Sequence, residues 1–180
     1  KKILLGVALL ILVFVVVVAT RPAAFHTERS TTMRASPDGA FALVNDFHNW
    51  SKWSPWEKLD PAMTRTYSGP TSGVGASYSW ESKSDKVGSG RMTIEKSEKG
   101  SLIVIKLEFL KPFPATNTAT FSFGTTSEGT KVTWSMDGKN NFMAKAFQMF
   151  VDMDKLIGKD FDAGLAAMKV EAESSKEPTK

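Results

Sequence analysis

The residues best suited to acid–base chemistry are His48 and Asp46, which lie two positions apart. A histidine that is oriented by a carboxylate can accept and release a proton near neutral pH, so His48 is a candidate general base and Asp46 its candidate partner. The structural alternative is that His48 bonds to backbone at a helix end and Asp46 caps a neighbouring turn. The chain has two histidines and no cysteine, which disfavours a Ser-His-Asp triad and excludes a cysteine nucleophile.

Other patterns that suggest reactive sites are weaker. Asp152 and Asp154 are close in the sequence, but two positions apart on a helix they do not face each other. The Gly-Val-Gly of residues 73–75 lacks the third glycine and the following helix of a dinucleotide-binding loop. No third metal ligand stands at a recognisable spacing from His48 and Asp46. We therefore expect neither a metal nor a cofactor; enzymatic activity is left open, and a non-catalytic role is favoured.

The segment around His48 is also the aromatic centre of the sequence. Residues 45–56 hold three of the five tryptophans. Aromatic side chains bury a large area, so this segment is predicted either to plug the core or to line a cavity. Pro55 must interrupt any helix within it.

The elements that would position these residues are mainly strands. Short stretches of alternating polar and apolar residues are separated by glycine and proline turns, which predicts about seven strands, largely joined by hairpins and therefore antiparallel. Their expected bounds are 27–34, 63–68, 77–81, 88–96, 101–110, 116–125 and 131–137. After the first strand, Ser36 can cap a short helix that starts at Pro37.

The two faces of the predicted sheet differ in polarity, as expected for an antiparallel sheet covered on one side. Asn117 is the only clearly polar residue on the apolar face, and a buried amide needs a partner, either a ligand oxygen or a neighbouring backbone group. On the other face, Arg91, Lys106 and Glu108 are predicted to be solvated cross-strand charges. The apolar face collects Tyr78, Trp80, Met92, Ile94, Ile103, Ile105, Leu107, Phe109, Asn117, Ala119, Phe121, Phe123, Val132, Trp134 and Met136.

A long C-terminal helix is predicted to cover the apolar face. Apolar residues recur at steps of three and four over residues 142–173, with a break expected near Gly158. Four of the eight methionines lie here, which suits either an adaptable binding surface or ordinary core packing. The simplest architecture is an α+β fold in which a curved antiparallel sheet wraps around this helix.

An unbroken apolar run, residues 3–19, precedes the sheet. As a helix it would span roughly 25 Å, slightly less than the ~30 Å hydrocarbon core, and Lys2 and Arg21 can snorkel to close the difference. We predict a retained transmembrane anchor; the alternative is a signal peptide cleaved within residues 20–24. The lysines at positions 1 and 2 favour an inside amino terminus, and hence a soluble domain outside the cytoplasm.

The charge balance excludes one class of partner. Lys1, Lys2 and Arg21 account for most of the net charge of +4, and the rest of the chain is nearly balanced. A nucleic-acid partner is therefore not expected, because it would require a clustered basic face. We divide the chain into an anchor at 1–21, a linker at 22–26, one domain at 27–173 and a polar tail at 174–180.

A family resemblance rests on these motifs. Residues 45–55, Asn-Asp-Phe-His-Asn-Trp-Ser-Lys-Trp-Ser-Pro, resemble the Asp-x-x-x-Trp-x-x-Trp-x-Pro signature of the polyketide cyclase/dehydrase-like branch of the SRPBCC (START-like, helix-grip) superfamily. The strand-helix-strands-helix order over 27–172 and the Gly164-Leu165 pair of the last helix are similar to that branch as well. The resemblance implies a seven-stranded sheet that grips the long C-terminal helix, with an elongated apolar cavity between them. Members bind lipids, sterols, polyketides or other hydrophobic molecules, and only some are enzymes.

The resemblance also divides the tryptophans. It implies that Trp50 and Trp53 mainly fix the fold. Trp56, which follows Pro55, is freer to reach a ligand or the membrane surface.

Three functional hypotheses remain. The first is a membrane-anchored module that binds a lipid-like or aromatic small molecule between sheet and C-terminal helix, with the membrane contacted through residues 3–19. The second is a cyclase- or dehydratase-type enzyme with His48 as acid and base, and the third is a protein-interaction module without a cavity. The expected ligand-binding residues are Trp56, Tyr78, Trp80, Met92, Phe109, Asn117, Phe121, Trp134, Phe147, Phe150 and Met153.

Overall fold

The computed structural model describes residues 1–84 and 87–174. Residues 175–180 of the predicted polar tail lie outside the described part. The helices are α1 Lys2–Thr20, α2 Pro37–Asn45, α3 Trp50–Trp53, α4 Phe142–Phe147 and α5 Met153–Ser174. The strands are β1 Ala24–Met33, β2 Thr64–Ser68, β3 Ser77–Glu81, β4 Ser89–Glu98, β5 Leu102–Lys111, β6 Ala115–Thr126 and β7 Gly129–Lys139.

The strands form one antiparallel seven-stranded sheet in the order β1-β7-β6-β5-β4-β3-β2. This confirms the α+β helix-grip architecture. β1 starts at Ala24, where it pairs with Lys139 of β7, rather than at Thr27. Part of the expected linker, residues 24–26, therefore belongs to the sheet.

The sheet has two ends that matter for function. At one end, which we call the α1 end, β1 begins at Ala24, β7 ends at Lys139, and residues 112–114 join β5 to β6. At the opposite end, which we call the distal end, β1 finishes at Met33 and a turn joins β6 to β7. Since α1 runs directly into β1, the α1 end is the end nearest the predicted membrane segment.

Helices cover the apolar face of the sheet. α5 packs against β1 and β7, and α2, α3 and two 3-10 turns fill the space beside it. The predicted cap is present, because the Ser36 hydroxyl accepts the N–H of Gly39 at the start of α2. On the other face, the Glu108 carboxylate pairs with Arg91 across the strands and with Lys106 of its own strand, both at 2.9 Å, and the Glu108 side chain is 18% exposed.

The C-terminal segment is two helices, not one, and the break is not at Gly158. The chain leaves helical structure at 148–152, and the Asp152 carboxylate accepts the N–H of Lys155 at the start of α5. Gly158 is buried inside α5, where a Cβ would lie 2.0 Å from Nη2 of Arg29. Glycine here makes room for a guanidinium between helix and sheet, so it serves packing and does not end the helix.

α1 differs from the other helices in its exposure. Of the helices in the described part of the chain, α1 alone is long and apolar enough to cross a bilayer. Val18 is its only buried residue. Its length and composition fit both a retained anchor and a signal sequence.

Candidate functional site

Residues from six strands form one row across the apolar face near the α1 end. Strand register places Tyr78 opposite Met92, Met92 opposite Leu107, and Leu107 opposite Asn117. The row continues through Gly138 of β7 to Phe25 of β1. Three of the predicted ligand-binding residues, Tyr78, Met92 and Asn117, therefore belong to this row.

The next row, one step closer to the α1 end, contains Trp80, Gly90 and Phe109. The Trp80 ring lies across Gly90, where a Cβ would be 2.4 Å from the indole, and its centroid is 6.0 Å from that of Phe109. Trp80, Phe109, Leu107 and Phe25 are only half-buried. These four side chains, with Asn117 among them, form what we call the apolar strip.

Asn117 is the polar group of the strip. Its side chain is 8% exposed, and its Nδ2 has only a long contact, 3.9 Å, to the sulfur of Met136. A Cβ at Gly138 would lie 2.1 Å from Asn117 Oδ1 and 2.4 Å from the Phe25 ring, so glycine lets both side chains sit flat on the sheet. The amide therefore keeps hydrogen-bonding capacity that a ligand could use.

The centre of the apolar face is filled by aromatic side chains. Trp134 stacks on Phe161 of α5 with centroids 4.0 Å apart and on Phe121 at 4.8 Å. Trp50 and Trp53 pack edge-on against the same two strands. Phe121 and Trp134, both predicted as ligand-binding residues, thus lie inside this cluster, and a cavity at this depth stays a prediction.

The three tryptophans of the signature segment have different surroundings. The indole N–H of Trp50 donates to the carbonyl of Val44 at 3.0 Å, and that of Trp53 to Leu43 at 2.9 Å. Both rings are buried and join α3 to α2. Trp56 is half-buried, with its ring edge-on to Trp134 at 5.5 Å, so it sits at the boundary of the aromatic cluster.

A charged cluster that the sequence did not reveal is built on Glu57, the residue after Trp56. The carboxylate of Glu57, 8% exposed, accepts hydrogen bonds from Arg65 Nε at 2.7 Å and from the Tyr78 hydroxyl at 2.5 Å. Burial, and then the Glu57 contact, raise the pKa of Tyr78, so its phenol stays neutral and donates. The signal that could have found this cluster is Glu57 itself, a carboxylate placed directly after an inward-facing aromatic residue.

His48 and Asp46 lie to the side of the strip. The Nδ1 of His48 is 2.7 Å from Asp46 Oδ1, and the same oxygen accepts the backbone N–H of His48. The imidazole stacks on Tyr67 at 4.1 Å, beside a small pocket of about 100 Å³. Tyr67 contacts Tyr78 at 5.3 Å, and Tyr78 stacks on Trp80 of the strip at 6.1 Å, so both tyrosines stand between His48 and the strip.

We also searched the described residues for side chains that could bind a metal ion together. Within residues 1–84 and 87–174, no group of three or more His, Asp or Glu side chains is placed to hold an ion.

The remaining predicted residues belong to a different surface. Phe150 and Met153 line an open cleft of about 550 Å³ at the α1 end, together with Arg21 and Phe25. Phe147 is more than half exposed, on α4. Phe25 is shared, since it lies in the strip and also lines this cleft.

His26 lies on the wall of the same cleft. Its Nδ1 is 2.8 Å from Asp137, and this hydrogen bond, with added attraction from Glu28, raises the pKa of the imidazole above its ordinary value of 6.5. Across the cleft, the Arg29 guanidinium lowers the pKa of the Asp154 carboxyl. The cleft therefore carries fixed charge pairs beside apolar residues.

Residues 24–173 match the family model described as polyketide cyclase / dehydrase and lipid transport. The chain belongs to this family. The match begins after α1 and covers the whole sheet and nearly all of α5. The family domain therefore includes the strip, the aromatic cluster and His48. No curated protein sequence matches the chain significantly.

Solved structures of the same fold support the assignment at the level of architecture. A protein of unknown function from Staphylococcus aureus superposes with a TM-score of 0.63 at 10% identity, covering 86% of this chain and 97% of that one. The Aha1 dimer from Colwellia psychrerythraea gives 0.59 at 14% identity, covering 85% and 99%. The di-domain ARO/CYC StfQ from the steffimycin biosynthetic pathway gives 0.62 at 14% identity, covering 84% of this chain and 51% of that one. At these identities the likeness concerns the fold.

Proposed function

We propose that this protein is a membrane-anchored module that binds a hydrophobic small molecule or lipid on the apolar strip. α1 holds the domain at the membrane, and the domain lies outside the cytoplasm. The ligand is elongated and mostly apolar, with at least one oxygen that accepts a hydrogen bond from Asn117.

The single observation that carries this proposal is the incomplete covering of the apolar face. The aromatic cluster fills its centre, but Trp80, Leu107 and Phe109 stay partly exposed at the α1 end. Burying such apolar side chains stabilises a protein or complex by roughly 25 cal/mol per Å² of apolar area. A ligand lying on the strip would bury them without any rearrangement of the core.

The polar groups around the strip suit recognition more than reaction. The Tyr78 hydroxyl is tied to Glu57, whereas the Asn117 amide has only its long contact to Met136 and can bond to a ligand. Ligand sites of this kind combine an apolar lining with a few polar groups that set orientation. The family description, which names lipid transport beside cyclase and dehydrase activity, is compatible with this role.

The enzyme hypothesis has less support. His48 would need to reach a substrate on the strip, and the ring of Tyr67 lies between them. The pocket beside His48, about 100 Å³, has room for several waters or a small organic group, but it is small for a polyketide.

Binding can be tested with full-length protein in detergent and two probes, a fluorescent fatty acid and a fluorescent sterol. We expect at least one probe to bind and Leu107→Asn to weaken it by roughly 10-fold, equivalent to about 1.4 kcal/mol. Val104→Asn is the matched control, because Val104 is a half-buried residue on the other face of the same strand.

Two results would overturn the proposal. One is that neither probe binds, which would favour the interaction module without a ligand site. The other is that both substitutions weaken binding equally while the melting temperatures stay the same, which would place the ligand elsewhere.

A further inference from the structure

α4 exposes its apolar side chains, whereas a surface helix of a soluble protein usually buries them against the core. In α4, Phe142, Met143 and Phe147 are 42%, 73% and 56% exposed, and Phe150, in the turn that follows α4, is 79% exposed. The one charged side chain of α4, Lys145, is instead turned toward the protein. Contiguous exposed apolar surface of this kind marks an interaction site.

Lys145 fixes α4 to the carboxyl end of α1. Its Nζ donates to the carbonyl of Ala19 at 2.9 Å and to that of Arg21 at 3.1 Å. These are carbonyls that a helix end leaves without an intrahelical partner. If α1 crosses a bilayer, α4 therefore lies at the depth where the hydrocarbon core gives way to headgroups.

A second element brings apolar side chains to the same level. Phe113, in the turn between β5 and β6, is 82% exposed, and Leu110 beside it is 58% exposed. The register of the sheet puts this turn at the α1 end, and the N–H of Asn140, just after β7, donates to the carbonyl of Ala23 at 2.7 Å. The turn and α4 thus lie at the same end of the sheet, the end at which α1 joins β1.

The charges at this end suit an anionic surface. Arg21, Lys111 and Lys139 lie there, and none of them has an ion-pair partner among the described residues. The acidic side chains of the neighbouring cleft are already paired, Asp154 with Arg29 at 3.0 Å and Asp152 with Lys155 at 3.3 Å. Basic and aromatic residues together are typical of the membrane–water interface.

We propose that α4 with the turn after it, and the end of β5 with the β5–β6 turn, form an interfacial surface that lies on the bilayer entered by α1. It consists of Leu110, Phe113, Phe142, Met143, Phe147 and Phe150. The domain then rests on the lipid headgroups with its α1 end down, and the cleft beside Phe25 opens toward them. This inference rests on the proposed anchoring of α1 but not on the proposed ligand.

The absence of cysteine in the sequence allows a direct depth measurement. Single variants Met143→Cys, Phe150→Cys and Phe113→Cys carry an environment-sensitive fluorophore in full-length protein, reconstituted in phosphatidylcholine–phosphatidylglycerol vesicles. Lipids that carry a nitroxide near the headgroup or near the chain end then quench the fluorescence of labels that lie at the same depth. Val13→Cys reports on α1, and Ser127→Cys reports on the exposed distal turn. The twelve residues of β6, at about 3.3 Å each, place the distal turn roughly 30–40 Å from the β5–β6 turn.

We expect the headgroup-level nitroxide to quench the three surface labels at least twofold more than the Ser127 label, and the chain-end nitroxide to quench the Val13 label. If the Val13 label is quenched and the three surface labels behave like Ser127, the interfacial surface is refuted while the anchor stands. Surface labels that are shielded but not quenched would show a protein partner instead, which also refutes it. An unquenched Val13 label would overturn the anchor and this inference together.

Discussion

At the residue scale, the signature tryptophans divide into packing and contact roles. Trp50 is buried and bonds to Val44, whereas Trp56 is half-buried at the edge of the aromatic cluster. We expect Trp50→Ala to cost about 3–5 kcal/mol of unfolding free energy, as for other buried aromatic residues. Trp56→Ala should cost clearly less and weaken probe binding more. Chemical denaturation and probe titration measure the two effects, and equal stability losses would contradict the division.

His26 gives the protein a pH-dependent element. Its raised pKa means that the folded state favours the protonated imidazole, because Asp137 accepts its hydrogen bond. This stabilisation is fully present below the unfolded-state pKa and is lost as pH rises through the folded-state pKa. The melting temperature should therefore fall slightly between about pH 6 and pH 8. Asp137→Asn should flatten this slope, and an unchanged slope would show that the pair does not couple to folding.

Residue-level prediction from the sequence had a clear limit. Alternation along the strands was enough to assign Ile103, Ile105 and Phe121 to the buried face, since successive side chains point to opposite sides. Alternation could not show that Trp50 and Trp53, from a helix, fill the space over Phe121. That outcome depends on how α3 docks, which is a tertiary property.

At the element scale, Gly164 is a second glycine of α5, besides Gly158, that lets the helix pack closely on its neighbours. A Cβ on Gly164 would lie 2.9 Å from Trp134 and 3.1 Å from Pro55, so the helix can approach only without a side chain there. Gly164→Ala should lower the free energy of unfolding by about 1–2 kcal/mol, because overpacking outweighs the better helix propensity of alanine.

A matched variant on the same helix separates the two effects. Ala166 is exposed on α5, so Ala166→Gly reports helix propensity alone and should cost about 0.5–1 kcal/mol. Urea denaturation of both variants measures them. A Gly164→Ala protein more stable than wild type would contradict the proposed close contact.

The C-terminal helices show why the bounds of an element are harder to predict than its existence. Periodicity indicated helix over 142–173, but it could not distinguish one helix from two that share a period. Asp152, which accepts the N–H of Lys155, was the local signal for a new helix start. Gly158 suggested a break, yet it accommodates Arg29, a contact with a residue far away in the sequence.

At the scale of the whole molecule, three partly exposed apolar features lie toward the α1 end. The cleft beside Phe25 and the apolar side chains of α4 lie where α1 joins β1, and the strip runs from Phe25 of β1 across the sheet to Trp80 of β3. The sequence predicted the anchor and the apolar face separately. It could not predict that they meet, because that depends on strand register and on the contact of Lys145 with α1.

The most direct test of a lipid-binding strip at the membrane is photo-crosslinking in nanodiscs. Full-length protein is exposed to diazirine-bearing fatty acid and sterol probes, and the modified peptides are identified by mass spectrometry. We predict saturable adducts on residues 77–81 and 102–117, competed by excess unlabelled lipid and lost in Leu107→Asn. Adducts confined to α1, with none on these strands, would contradict the account.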